Sequence, residues 1–197
     1  MKYFYLLIVI ILITGCKPKI IFDIYYSDLI SEEGSVIIAE VISKFSGEKQ
    51  CNENSDRVFK VMQKYFEEVE NKGCNKEFIN LAVDVPVSNK IESVPFTFLI
   101  ENNSLYGMKD DKLWSAMEKD LKQINSLANT EIENAEFKII NDSKKSINVK
   151  VSGVWVDNQA VVWSQDFKIK RKKSITLRAG SVMLNSVNKG KVKLLEF

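Results

Sequence analysis

The clearest structural signal lies in residues 147–170, which read INVKVSGVWVDNQAVVWSQDFKIK. Most odd positions are apolar and most even positions are polar, which is the two-residue period of a strand with one buried face. The same parity continues on either side at Phe137, Ile139, Ile175 and Leu177. The segment therefore predicts an antiparallel meander with one solvated face. If Trp155 and Trp163 share the buried face, the hairpin between them needs a loop of odd length, most simply Asp157-Asn158-Gln159.

Two other segments have the period of an amphipathic helix. In residues 56–72 the apolar stripe consists of Val58, Val61, Met62, Tyr65, Phe66 and Val69. In residues 111–128 it consists of Leu113, Trp114, Met117, Leu121, Ile124 and Ala128, and Asp110 or Asp111 is the expected cap. Because Trp114 and Met117 belong to this stripe, we interpret them as core residues rather than as the wall of a cofactor pocket.

The order of these elements indicates an α+β fold. Segments 36–45, 56–72, 77–87, 93–101, 111–128 and 134–141 read as strand, helix, strand, strand, helix and strand. We predict a two-layer antiparallel sheet with two amphipathic helices, followed by the C-terminal meander. A ferredoxin-like βαββαβ unit is the narrower interpretation. No linker-like stretch divides residues 20–197, so we expect a single α+β domain there.

The composition excludes several classes of site. The chain has 197 residues, 45% hydrophobic and 27% charged, with a net charge of +2 and no histidine. Without histidine there is no Ser-His-Asp or Cys-His catalysis and no imidazole zinc site. The small net charge does not favour nucleic-acid binding. We also find no glycine-rich phosphate loop, nucleophile elbow or metal-ligand spacing, and we predict no catalytic residue, metal or cofactor.

The first residues indicate export and lipid attachment. A positive start at Met1-Lys2 precedes an apolar run, Tyr3–Ile13, that is too short to span a bilayer. Ile13-Thr14-Gly15-Cys16 then matches the lipobox of bacterial lipoproteins. We predict a signal peptide over 1–15, acylation of Cys16 by palmitate or similar chains, and a short tether over 16–19. An ordinary signal peptide with an unrelated cysteine and an uncleaved anchor are the alternatives.

This anchor would place the domain in the cell envelope. From Cys16 to Ile20 the chain reaches at most about 13 Å, so the domain is expected close to the membrane surface. In a Gram-negative cell, Lys17 after the cysteine favours the outer membrane, facing the periplasm or the surface.

The remaining cysteines are Cys51 and Cys74. An exported chain meets oxidants, so a disulfide between them is the default expectation. If the helix at 56–72 separates them, the bridge requires residues 52–55 to run back along it as extended chain, because bridged Cα atoms lie within about 7 Å. Two free cysteines are the alternative.

Basic residues form the most charged part of the sequence. Candidates for contact with an anionic surface are Lys17, Lys19, Lys168, Lys170, Arg171, Lys172 and Lys173. A solvated strand end and turn is the alternative for the run at 168–173. Residues 25–28, Tyr-Tyr-Ser-Asp, are a second candidate surface near the anchor, although Asp28 is also a natural capping residue.

Part of the sequence resembles a known group of proteins. Gly15-Cys16-Lys17 followed by FDIYYSDL at residues 22–29 is similar to the start of small lipoproteins encoded by phages and prophages of Gram-negative bacteria. Cys51, Cys74 and the Tyr65-Phe66 pair resemble the central part of the same group. The resemblance implies a prophage-borne envelope lipoprotein and assigns no active site.

These observations favour a non-enzymatic, membrane-anchored module whose partner is an envelope protein or glycolipid. Modification of the cell surface, for example in superinfection exclusion, is one such role. The alternatives are an accessory subunit of a secretion or conjugation apparatus and, less favoured, an envelope hydrolase that uses carboxylates or a Ser/Lys pair.

Overall fold

The computed structural model describes residues 19–31, 34–90, 93–125, 134–187 and 189–197. The predicted signal peptide, Cys16 and Lys17 lie outside these residues.

One mixed sheet of thirteen strands dominates the described chain, together with four helices. The strands are β1 (Lys19–Tyr25), β2 (Ser35–Lys44), β3 (Val69–Asn75), β4 (Phe78–Ser88), β5 (Phe96–Glu101), β6 (Ser104–Lys109), β7 (Asn134–Ile140), β8 (Ile147–Val151), β9 (Val154–Val156), β10 (Gln159–Val161), β11 (Gln165–Ile169), β12 (Ser174–Ala179) and β13 (Lys191–Glu196). The helices are α1 (Tyr26–Leu29), α2 (Glu48–Met62), α3 (Asp111–Lys122) and α4 (Ser181–Val187). The predicted two-layer antiparallel sheet with two helices, and its ferredoxin-like variant, are therefore wrong.

The sheet follows the order β10-β9-β12-β7-β1-β2-β4-β5-β6-β13-β8-β11, and β3 pairs with β4. Most neighbours are antiparallel, but β1 pairs with β7 and β4 with β5 in parallel. Strands β8 and β9 lie near opposite ends of this order, yet only residues 152 and 153 separate them in the chain. The sheet must therefore curl until its two ends approach each other.

The predicted helix over 56–72 is wrong in its boundaries. Helix α2 covers Glu48–Met62, and the chain then turns so that β3 takes the last four residues of the predicted helix, 69–72. Val69 pairs with Val83 of β4, so the apolar side chain that completed the helical stripe is used in a strand. Pairing with the free edge of β4 outweighs the local helical pattern, because tertiary contacts routinely override intrinsic propensity.

The predicted hairpin loop is wrong as well. Asp157 and Asn158 form a two-residue turn with φ of 44° and 72°, the positive values that a type I′ turn requires. Gly153, with φ of 69°, interrupts the alternation before it, so the even-numbered Val154 and Val156 become the buried residues. Trp155 is consequently 41% exposed, and Trp163, which lies beyond the end of β10, is 83% exposed.

Helix α3 begins where the sequence predicted. The Asp110 carboxylate caps it by accepting a hydrogen bond from the Leu113 N–H at 2.9 Å. Trp114 and Met117 are buried, as expected for the inner face of an amphipathic helix. The helix ends at Lys122, and the last residues of the predicted segment, 126–128, lie outside the described residues.

Packed phenylalanines join the first half of the sheet to the second. Phe22 of β1 lies between Phe98 of β5, at 5.0 Å between ring centroids, and Phe137 of β7, at 5.1 Å. These rings pack together in the buried core on one side of the curled sheet. Helices α2 and α3 cover the neighbouring part of the same side.

Candidate binding site: an apolar cavity beneath two helices

A cavity of about 110 Å³ lies between the sheet and helices α2 and α3. The sheet contributes its floor, which includes Ile20 and Phe22 of β1, Ala39 and Val41 of β2, and Ile79, Leu81, Val83 and Val85 of β4. The helices contribute its roof: Val58 and Met62 from α2, and Trp114, Met117 and Leu121 from α3. Along each of these strands, every second side chain faces the cavity. The two-residue period of the strands therefore supplies the apolar floor.

The cavity opens at one end of these strands. Its buried end is formed by Val85, Phe96 and Trp114, whereas Ser43 and Asn125, which also line it, are only partly buried. Ser43 lies at the end of β2, and the opening is therefore at the edge where β2 ends and β1 begins.

The chemistry of the wall suits an apolar guest. Among the described residues that line the cavity there is no carboxylate, and Lys44 is the single cation. Lys44 follows Ser43 in β2, so its side chain leaves the sheet on the face opposite the cavity. Its ammonium lies 3.8 Å from the Glu77 carboxylate and 5.8 Å from the centre of the Phe78 ring. The wall can therefore bind alkyl groups, and the partly buried polar residues Ser43 and Asn125 line its open end, where a polar head would lie. Its described residues include no pair of groups for acid–base catalysis.

A polar contact joins the two helices over the cavity. Asp120 of α3 accepts hydrogen bonds from the Lys64 ammonium at 3.1 Å and from the Tyr65 hydroxyl at 3.2 Å, just beyond the end of α2. The hydrogen bond from Lys64 is the main reason why the pKa of Asp120 lies below its usual value. Burial is the main reason why the pKa of Tyr65 is raised, and its hydrogen bond to Asp120 adds to this.

A disulfide joins α2 to the sheet. Cys51, near the start of α2, is bonded to Cys74 of β3, with 6.1 Å between their Cα atoms. The predicted bridge is confirmed, and the geometric objection to it disappears because the chain reverses between α2 and β3. One side of the cavity roof is therefore fixed covalently, whereas α3 is held by its cap, its apolar face and the Asp120 contact.

Comparison with known proteins places the chain in a family. Residues 19–195 match the family described as "Domain of unknown function (DUF7424)". The chain belongs to the DUF7424 family. No curated protein and no solved structure matches it. The DUF7424 match covers every strand that contributes to the cavity, so the cavity is part of the family domain.

The structure separates the basic residues that the sequence grouped together. Lys19 begins β1 beside the start of β7, and its ammonium lies 3.2 Å from the Glu136 carboxylate. The basic turn after β11 instead lies beside the end of β7, where the Lys173 carbonyl accepts a hydrogen bond from the Asn141 N–H at 2.9 Å. Seven residues of strand separate these positions, about 23 Å. Lys19 and the basic turn therefore cannot form one continuous surface.

The Asn141 side chain links a second basic turn, at Lys144-Lys145, to the basic turn after β11. Its buried side-chain amide donates to the Lys145 carbonyl at 2.8 Å and to the Ile169 carbonyl at 2.9 Å. The cations gathered there are Lys144, Lys145, Lys168, Lys170, Arg171, Lys172 and Lys173, and all are exposed. Among the described residues, none of these seven lies within 4.0 Å of a carboxylate. The sequence missed this junction because the two turns are far apart in the chain.

The segment 25–28 lies at the opposite end of β1 from the predicted anchor. The Asp28 carboxylate accepts a hydrogen bond from the Tyr25 N–H at 3.1 Å, which closes the start of α1. Burial raises the pKa of Asp28, and the nearby Asp142 adds to the effect. The Asp142 carboxylate in turn accepts hydrogen bonds from the N–H and the hydroxyl of Ser27. The Asp28 and Asp142 carboxylates thus both hold the backbone at the start of α1 in place.

Two further findings concern the described residues alone. None of their helices is both long enough and apolar enough to cross a membrane. They include no cluster of three or more His, Cys, Asp or Glu side chains that could hold a metal ion.

Proposed function

We propose that this DUF7424 protein is a lipid-anchored, non-enzymatic binding module of the cell envelope that holds an aliphatic chain in its cavity. The observation that carries the proposal is the apolar cavity, with the polar residues Ser43 and Asn125 at its opening. A fatty acyl group with a polar head has the matching chemistry. The alkyl part replaces water against aliphatic and aromatic side chains, and the head stays at the rim.

The volume limits how much of such a ligand enters. An apolar cavity of about 150 Å³ can stay dry and bind a benzene-sized guest. The cavity here is smaller, about 110 Å³, and holds the end of an alkyl chain. A longer segment requires α3 to move outward. That movement breaks the Asp120 contacts with Lys64 and Tyr65 but leaves the disulfide-bound α2 in place.

The proposed location rests on the sequence upstream of β1. The lipobox ending at Cys16 supports acylation, and Cys16 precedes the first described residue, Lys19, by three positions. The cavity opens at the edge where β1 begins. An acylated Cys16 would therefore hold the opening close to the membrane, which is a source of aliphatic ligands.

Binding is tested with Trp114 as a built-in reporter, because its ring lines the cavity. The chain from residue 17 onward, carrying Trp155→Phe and Trp163→Phe, is purified without detergent and titrated with decanoate and palmitate. We expect a saturable change in Trp114 emission. Ala39→Leu fills the floor of the cavity and should weaken binding severalfold.

The matched control is Ala160→Leu, the same substitution at an exposed position of β10. It should bind like the parent. Emission that does not saturate, or saturable binding that Ala39→Leu leaves unchanged, would reject the cavity as the binding site. Labelling cells with radioactive palmitate tests the anchor separately, and the label should be lost in Cys16→Ala.

A further inference from the structure

Two adjacent apolar side chains project from the sheet directly after β10. Val162 is 69% exposed and Trp163 is 83% exposed. The neighbouring Trp155 differs, because its ring stacks on the Arg178 guanidinium at 5.4 Å. Exposing a valine and a tryptophan side by side leaves apolar surface in water, and such surface commonly marks a contact with another phase or partner.

The strand register places this pair at the edge of the sheet where β1 begins. Val161, the last residue of β10, pairs with Val154 at the start of β9, which pairs with Ala179 at the end of β12. Strand β12 runs antiparallel to β7, and β7 runs parallel to β1. The end of β10, the start of β7 and the start of β1 therefore lie on the same side of the sheet, where these strands begin or end. We call this side the N-terminal edge.

The chain upstream of β1 supplies the reason for this exposure. Strand β10 is four strands from β1, so Val161 lies within about 20 Å of the start of β1 at the usual strand spacing of about 4.8 Å. If Cys16 carries lipid, its backbone is at most about 11 Å from Lys19. The anchor then brings the N-terminal edge against the bilayer, and the two residues that directly follow β10 there, Val162 and Trp163, are both apolar and exposed.

We propose that the N-terminal edge lies on the membrane and that Val162 and Trp163 insert into its interfacial layer. Tryptophan favours this layer because its ring is apolar while its N–H remains able to donate a hydrogen bond. This inference rests on the lipid anchor of the proposed function. It assigns the membrane contact to an apolar pair rather than to the basic turns, which lie at the opposite edge.

The test uses the full acylated chain reconstituted into phosphatidylcholine vesicles whose acyl chains carry bromine close to the headgroups. In one variant, Trp114→Phe and Trp155→Phe leave Trp163 as the single tryptophan. In the matched control, Trp114→Phe and Trp163→Phe leave Trp155. Bromine should quench Trp163 severalfold more strongly than Trp155. The quenching should persist in 1 M NaCl, because an apolar contact is not screened by salt.

A second measurement guards against poor folding of these variants. Trp163→Phe in the otherwise unchanged chain should remove most of the quenchable emission. Flotation of the protein with the vesicles reports the anchor independently. If the chain floats but Trp163 is quenched no more than Trp155, the inference is wrong and the anchor stands. If quenching disappears in 1 M NaCl, the contact is electrostatic and the inference is wrong. If the chain does not float, the anchor and the inference both fail.

Discussion

Filling the cavity should stabilise the protein. Ala39 lies in the middle of β2, pairs with Phe22 and Val83, and is 1% exposed, while its side chain borders the cavity. The substitution Ala39→Leu adds three carbon atoms towards an open volume of about 110 Å³. In a closely packed core, the same change would force neighbouring side chains apart.

The magnitude follows from the transfer of these carbons out of water. At about 0.8 kcal/mol per buried methylene, three carbons contribute about 2.4 kcal/mol. Ordering the leucine side chain costs about 0.5–1 kcal/mol. The free energy of unfolding should therefore rise by about 1.5 kcal/mol, which for a chain of this size raises the thermal midpoint by about 3–6 °C.

Ala135→Leu is the matched comparison. Ala135 of β7 is 4% exposed and pairs with Ile20, but it is not among the described residues that line the cavity. Inserting the same carbons there should lower the free energy of unfolding by about 1–3 kcal/mol through overpacking. Urea unfolding of both variants, followed by circular dichroism, measures the two changes under identical conditions.

The sign of the change in unfolding free energy caused by Ala39→Leu shows whether the cavity is open. If Ala39→Leu destabilises the protein as much as Ala135→Leu does, the helices lie closer to the sheet than the structure shows and the cavity is closed. Stabilisation by Ala39→Leu together with loss of fatty-acid binding would connect the cavity to the proposed function.

Three further outcomes are expected. Replacing Cys51 and Cys74 by alanine should lower the free energy of unfolding, measured in urea, by about 3 kcal/mol, because the bridge closes a loop with a sequence separation of 23. Dithiothreitol should reproduce this loss of stability in the parent and have no effect on the variant. The hydrogen bond from Lys64 lowers the pKa of Asp120 in the folded protein. The ionised carboxylate therefore stabilises the fold above the ordinary aspartate pKa of 3.8, and this stabilisation is lost as the pH falls through the lower folded-state pKa. Asp120→Asn should lower the urea midpoint at pH 7, and the difference between variant and parent should narrow below pH 3.8. Asn141→Leu removes the side-chain donor from the Ile169 carbonyl, while the Lys145 carbonyl keeps its hydrogen bond from the Ser143 hydroxyl. The change should cost about 2 kcal/mol, seen in urea unfolding and as faster tryptic cleavage at the basic turns.

The sequence predicted those elements whose burial pattern is decided locally. Alternation in β4 and the apolar stripe of α3 both survive in the structure, because a strand buried on one face and a helix buried on one stripe carry their periods in the residue order. The cap at Asp110 was predicted for the same reason, since it involves only residues within one turn. The disulfide was predicted from the expected redox environment rather than from geometry.

The failures share a different cause. Residues 69–72 fit the helical stripe, and only the free edge of β4 makes them a strand. In the hairpin, the parity argument assumed unbroken alternation, but Gly153 shifts it by one residue and exposes Trp155. Trp163 is exposed for another reason, because β10 ends at Val161. The cavity could not be predicted from the sequence either. Trp114 was correctly interpreted as a buried residue, but the spacing of apolar residues does not show whether buried side chains pack tightly or leave a cavity between them.

The two edges of the sheet lead to opposite expectations about salt. The N-terminal edge combines the cavity opening with Val162 and Trp163, whereas the basic turns held by Asn141 lie at the other edge. A chain anchored at Cys16 would therefore present the cations of these two turns away from its own membrane. Apolar contact with the anchoring bilayer should be insensitive to ionic strength, while any anionic partner bound at the basic turns should dissociate as salt increases. Binding that loses its salt dependence when these lysines are neutralised, with flotation unchanged, would assign the two contacts to separate edges.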